Sequence, residues 1–178
     1  MPHFAVSAVG ADRPGIVAAV TGVFFELGCN LEDTSMTILR GHFAMMLVVE
    51  GPADVTAGDL ESALAAPAAA FGLVVTVREI EDVGAAVVGG EPWSVAVYGA
   101  DQPGIVHRVA TVIAQAGVNI VDLTTRLIGH SGPPVYAMIL EVTIPPSTDA
   151  AHVGADLEKL AAEMGVDVSL HPSEADIL

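Results

Sequence analysis

The sequence predicts an α+β protein made of two βαββαβ domains in tandem. Three observations carry this: the chain repeats itself, each copy runs through the same succession of hydrophobic periodicities, and each copy is large enough to close a core. The repeat is explicit, since Phe4-Ala-Val-Ser-Ala-Val-Gly-Ala-Asp-Arg-Pro-Gly-Ile-Val17 returns as Trp93-Ser-Val-Ala-Val-Tyr-Gly-Ala-Asp-Gln-Pro-Gly-Ile-Val106 at an offset of 89. Gly28, Asn30 and Asp33 recur as Gly117, Asn119 and Asp122, and Val20 and Val23 as Val109 and Val112. The second copy then gains four residues in a loop, so Ala44-Met45 matches Ala137-Met138 and Phe71-Gly72 matches Met164-Gly165. A length of 178 residues suits two small domains or one ordinary one, and the repeat decides for two.

Each copy opens on a short apolar strand, Phe4 to Val9 and Trp93 to Tyr98, broken by Gly, Asp and Pro. From Gly15 the apolar residues Ile16, Val20, Val23, Phe24 and Leu27 follow helical spacing, with Pro14 near the first turn and Gly28 beyond the last. Asn30 to Arg40 and His42 to Glu50 read as two strands of a hairpin joined at Gly41, where positive φ costs glycine nothing. A second helix is expected from about Thr56 to Phe71, kinked or interrupted at Pro67 and ended by Gly72. Leu73 to Ile80 supplies a last strand, and the second copy gives the same six elements, ending with Val166 to Leu170. This order is the split βαβ, or ferredoxin-like, pattern, in which one antiparallel sheet carries both helices on a single face. The expected domains are 1–80 and 92–178, joined by a linker over 81–91 that is acidic at one end and carries Gly89-Gly90 near the other.

Composition excludes several function classes. With 52% hydrophobic residues and a mean hydropathy of +0.60 the chain is not a disordered one. Twenty-two acidic residues against six basic ones leave a net charge of −16, with Lys159 the sole lysine, so the chain is ill suited to neutralise nucleic-acid phosphates or an anionic membrane. The most apolar stretch, Ala63 to Val75, holds Pro67 and Gly72 and falls short of the roughly 20 residues of a bilayer span. Met1-Pro2-His3-Phe4 carries no export signature, and Cys29 is the only cysteine, so a cytoplasmic protein without an internal disulfide is expected.

The hexads Gly10-Ala-Asp-Arg-Pro-Gly15 and Gly99-Ala-Asp-Gln-Pro-Gly104 stand between a strand end and a helix start. A first helical turn presents unpaired N–H groups and the positive end of the dipole, which suit a carboxylate or phosphate, and Gly15 and Gly104 let a ligand come close to the backbone. The competing reading is that Asp12 and Asp101 merely cap the helix and the prolines fix φ. Duplication favours a ligand without deciding the matter, because a doubled fold doubles its structural turns as well. Asn30 and Asn119, at the entry to the second strand, offer donor and acceptor to a zwitterion or satisfy a local turn. Asp33 and Asp122 would face an ammonium group if they point the same way; solvated surface carboxylates are the alternative.

The repeated Asp-x-Pro-Gly-Ile followed by Gly-x-Asn, inside a doubled split βαβ pattern, resembles a tandem ACT domain protein, and the layout is similar to the glycine cleavage system transcriptional repressor group. The resemblance covers nearly the whole chain. It implies that amino acids or related small ligands bind at interfaces between ACT domains, which by position points to Asp12, Gly15, Ile16 and Asn30 in one copy and Asp101, Gly104, Ile105 and Asn119 in the other. The copies differ where Arg13 is replaced by Gln102 and in the longer Gly129–Pro134 loop.

No constellation for catalysis stands out. Cys29 follows a helix end, opposite the setting that lowers a thiol pKa, and is expected to be packed. His3, His42, His107, His130, His152 and His171 show no paired ligand spacing, so neither a metal nor another cofactor is expected, and His107 is expected to face solvent. Met36, Met45, Met46 and Met138 are expected in core or sheet packing, and Phe25 falls off the apolar stripe as a candidate interface residue. The expected function is a non-enzymatic regulatory module that signals to a partner protein, as a homodimer and without touching nucleic acid directly. The alternatives are a trans-acting regulatory subunit of a metabolic enzyme, with formyltetrahydrofolate deformylase as the family parallel, and a ligand-free dimerisation module.

Overall fold

A computed structural model describes residues 1–81, 89–129 and 135–173. The chain divides into two compact units, Met1–Gly84 and Ala85–Leu178. The first contains β1 (His3–Ala11), α1 (Ile16–Glu26), β2 (Asn30–Leu39), β3 (His42–Glu50), α2 (Ala57–Phe71) and β4 (Val74–Ile80). The second contains β5 (Glu91–Ala100), α3 (Ile105–Gln115), β6 (Asn119–Ile128), β7 (Val135–Ile144), α4 (Ala150–Met164) and β8 (Val166–Pro172). Each unit holds one antiparallel sheet, ordered β2-β3-β1-β4 and β6-β7-β5-β8. This is the ferredoxin-like α+β fold, present twice.

Strand alternation decides which side chains meet the helices. Phe4, Val6 and Ala8 of β1 and Leu47 and Val49 of β3 are buried together with Ile16, Val20 and Phe24 of α1 and Leu60 and Leu64 of α2. The second unit repeats the arrangement with Val95, Val97, Leu140 and Val142 under Ile105, Val109, Ile113, Val153 and Leu157. Among the described residues no polar or charged side chain is buried. Strands β2 and β3 meet in a two-residue turn in which Arg40 as well as Gly41 has positive φ (51° and 82°), the requirement of a primed hairpin turn.

Several sequence expectations change in detail. α2 continues through Pro67 to Phe71, at the expense of the hydrogen bond that residue 67 would have donated to the Ala63 carbonyl. Gly72 then closes the helix in a left-handed conformation. Thr56 is the cap rather than a helical residue, exchanging hydrogen bonds with Asp59 in a capping box. β5 begins at Glu91, which pairs with Ile144, inside the stretch expected to be linker; residues 82–88 of that stretch lie outside the described residues, as do 130–134 of the long loop. Met45 and Met138 are core residues, but Met36 and Met46 are 47% and 57% exposed. Met46 alternates onto the sheet face away from the helices, and Met36 sits on the edge strand β2, every residue of which is exposed.

Candidate functional site

The loops between β1 and α1 and between β5 and α3 start their helices in the same unusual way. Gly15 and Gly104 are the N-cap residues, with φ of 96° and 93°, and neither helix start receives a side-chain hydrogen bond. The capping role considered for Asp12 and Asp101 is therefore corrected. A capping residue needs an extended backbone at the N-cap itself, and that position belongs to glycine. The first helical bonds run from the Ala19 and Arg108 amides to the Gly15 and Gly104 carbonyls. The amides of residues 16–18 and 105–107 precede them, free of intrahelical partners at the positive end of the dipole.

Other members of the hexads serve packing. A Cβ on Gly10 would stand 2.8 Å from Leu73 Cδ2 and 3.0 Å from the Gly72 carbonyl oxygen, and one on Gly99 would stand 2.6 Å from Val166 Cγ1. The first glycine of each hexad thus admits the following unit-closing strand. Ile16 and Ile105 bury their side chains in the cores, so only their amides face the loop. The Asp12 amide donates to the Gly41 carbonyl at 2.9 Å, tying the loop to the hairpin turn, while the Asp12 side chain is exposed.

The two loops differ. Gln102 Nε2 donates to the Met164 carbonyl at 2.7 Å, pinning the second loop to the end of α4. A Cβ on Gly15 would meet the Phe71 ring at 3.6 Å, whereas one on Gly104 would meet nothing within 4 Å. Alongside the second loop, α3 and α4 flank a groove of about 470 Å³ lined by His107, Arg108, His152, Lys159 and Glu163, with Arg108 Nη2 2.6 Å from Glu163 Oε2. Aligned positions 18 and 19 of α1 are Ala18 and Ala19, so the first helix start lacks this arginine–glutamate pair and carries its arginine in the loop, as Arg13. His107 is exposed as expected.

Asn30 and Asn119 are the first residues of β2 and β6 and are exposed. Within either unit the structure does not bring them to the glycines. Each asparagine follows the far end of its helix, and 11 helical residues span about 16 Å. A β-bulge shifts the register between Leu31 and Asp33 and between Ile120 and Asp122. Asn30 and Asp33 consequently oppose Glu50 and Val48, which share the sheet face away from the helices, and so point the same way.

Cys29 is half-buried against the core, and burial pushes its thiol above the usual range, as its packing role predicts. One cluster escaped the sequence. His3, Glu32 and Glu50 bring their ligand atoms within 4.8 Å of one another on the helix-free face of the first sheet. Alternation could have placed His3 and Glu50 there, but the bulge that turns Glu32 toward them leaves no mark in the pattern.

The family model described as "ACT domain" matches residues 3–78 and 94–171. The chain belongs to the ACT domain family. As a tandem ACT domain protein it is 25% identical over 171 residues to the glycine cleavage system transcriptional repressor of Escherichia coli K12, over 95% of this chain and 89% of that one. It is 28% identical over 169 residues to the phosphoserine phosphatase SerB2 of Mycobacterium tuberculosis, over 93% of this chain and 39% of the phosphatase. A crystal structure of an unknown protein from Galdieria sulphuraria superposes on this tandem ACT fold with a TM-score of 0.82 at 28% identity, covering 97% and 99% of the two chains. Among the described residues no helix is long and apolar enough to cross a membrane.

Proposed function

We propose that the protein is a non-enzymatic regulatory module that binds an amino acid or a similar small ligand at interfaces between ACT domains and passes its occupancy to a partner protein. The observation that carries this is the pair of glycine-started, side-chain-free helix beginnings, each offering unpartnered amides and the dipole to a carboxylate. Gly15 and Gly104 admit the ligand, the amides of Ile16 and Ile105 receive its carboxylate, and Asp12 and Asp101 border the site. Asn30 and Asn119 stand at the opposite domain end, so one small ligand touches both a glycine and an asparagine only where two ACT domains meet. The exposed edge strands β2 and β6, with Leu31, Met36, Leu123 and Leu127 partly bare, favour such meeting in a cytoplasmic homodimer. A ligand that prefers one arrangement shifts the population toward it by its differential affinity, typically about 1 to 3 kcal/mol of coupling.

Similarity to the glycine cleavage system transcriptional repressor favours indirect control of transcription through a DNA-binding partner, with no direct nucleic-acid contact by this acidic chain. The experiment is calorimetry and thermal shift against the common amino acids. Binding of at least one raises the melting temperature, since a ligand bound only by the native state must stabilise it. Silence across the panel reduces the protein to a dimerisation module. A second reading, a regulatory subunit acting in trans on an enzyme of amino-acid or one-carbon metabolism, is favoured by the match to part of a phosphoserine phosphatase. A pull-down separates the two: a transcription factor supports the first, an enzyme the second.

A further inference from the structure

We propose that His3, Glu32 and Glu50 form a site for a first-row divalent cation, such as Zn²⁺, on the helix-free face of the first ACT domain. The site stands independently of the amino-acid reading. Three adjacent strands contribute one ligand each: His3 on β1 lies directly opposite Glu50 on β3, and Glu32 comes from the bulge on β2. The bulge is what completes the set, because an extra residue re-aims a side chain that regular alternation would place elsewhere.

Distances fit a shared ion better than a direct bond. His3 Nε2 and Glu32 Oε2 are 3.4 Å apart, beyond the usual reach of an N–H···O hydrogen bond. With metal–ligand bonds of about 2.1 Å, the edge of a tetrahedron is about 3.4 Å. All three ligand atoms lie within 4.8 Å of one another, so a small inward adjustment of the third completes the coordination. Among the described residues none of the three side chains makes a side-chain hydrogen bond, which leaves their lone pairs free for an ion. Two carboxylates brought together in a chain of net charge −16 repel each other unless a cation stands between them.

The donor set selects the ion. One imidazole nitrogen with two carboxylate oxygens suits Zn²⁺, Mn²⁺, Fe²⁺ or Co²⁺, whereas Ca²⁺ and Mg²⁺ prefer oxygen throughout. Three protein ligands leave the remaining positions to water. The second domain supplies an internal contrast, since the aligned positions are Pro92, Val121 and Thr143 and none can replace the donors. The site is therefore a property of one copy and not of the repeated fold.

The rival occupant is a proton, with His3 as an imidazolium paired to Glu32. Calorimetry with Zn²⁺ on untagged, chelator-stripped full-length protein separates the two, together with the visible absorption of Co²⁺. One ion binds per chain, and His3→Gln, Glu32→Gln and Glu50→Gln each weaken it at least about tenfold, no less than the loss of an outer-shell partner. His152→Gln, which removes the exposed pair formed by His152 and Asp156 on α4, leaves it unchanged. Glu32→Gln changes an exposed residue of an edge strand, so it keeps the test available should His3→Gln fail to fold. No uptake of Zn²⁺, Co²⁺ or Mn²⁺ at millimolar concentration overturns the proposal, and so does uptake that survives all three substitutions or vanishes with His152→Gln.

Discussion

Gly104→Asp tests the proposed ligand site most directly, because its effects on stability and on binding separate. At φ 93° a side chain costs about 1 to 2 kcal/mol of backbone strain. A carboxylate beside the positive end of the helix dipole recovers up to about 1 kcal/mol, without the extended backbone that capping needs. No steric charge is added, since a Cβ there meets nothing within 4 Å. The net loss is about 0 to 2 kcal/mol, a melting shift of at most about 16 °C for a domain of this size, against a total stability of about 5 to 15 kcal/mol. Binding suffers more. The new carboxylate stands beside the amides and repels an anionic ligand at close range by about 1 to 4 kcal/mol, so affinity drops at least about fivefold. The control is Gly104→Ala, which carries the strain and lacks the charge; it melts lower than wild type yet retains the amino acid. Calorimetry and circular dichroism on both variants, and on Gly15→Asp, give the answer. A folded Gly104→Asp protein that binds the amino acid as well as wild type would refute the reasoning.

Gly99→Ala forces a Cβ to 2.6 Å from Val166 Cγ1 and 3.2 Å from Val166 Cα, and is expected to cost about 1 to 3 kcal/mol in urea unfolding; an unchanged midpoint would show that β8 moves aside freely. Asp149→Ala removes the acceptor that caps α4 through the Ala151 amide and is expected to lose about 1 kcal/mol by the same measurement. Hydrogen bonds from Thr56 hold the Asp59 carboxyl below its usual range. A lowered folded pKa contributes stability above the unfolded value and loses it as pH falls through the folded one, so the advantage of wild type over Asp59→Asn shrinks across that acidic window in unfolding titrations. Burial raises the Cys29 thiol, so it carries less thiolate than a free cysteine near pH 8; alkylation by iodoacetamide is expected to be slow in the native protein and fast in denaturant.

The domain pair was legible because duplication writes each signal twice. Apolar residues at helical and strand spacing recur in register, and a ferredoxin-like sheet follows from their order. Ile16, Val20 and Phe24 reach the core as that spacing requires, and Gly72 ends α2 as its conformational freedom allows. Pro67 does not interrupt α2, because the burial of Leu60 and Leu64 against the core outweighs one lost backbone donor. Met36 misled because local pattern does not say which strand forms the sheet edge, and so which apolar residue goes uncovered.

The candidate site residues could be chosen from the sequence by type, but their geometry could not be read there. Gly15, Asn30 and their copies could be singled out from the chain, yet only the folded structure separates them by the length of α1 and hands the N-cap to glycine instead of aspartate. Likewise His3, Glu32 and Glu50, distant along the chain, meet through strand order and one bulge. Hydrophobic periodicity is local and survives in the sequence; the meeting of polar groups depends on register, bulges and sheet order, which the chain acquires only when its strands pair.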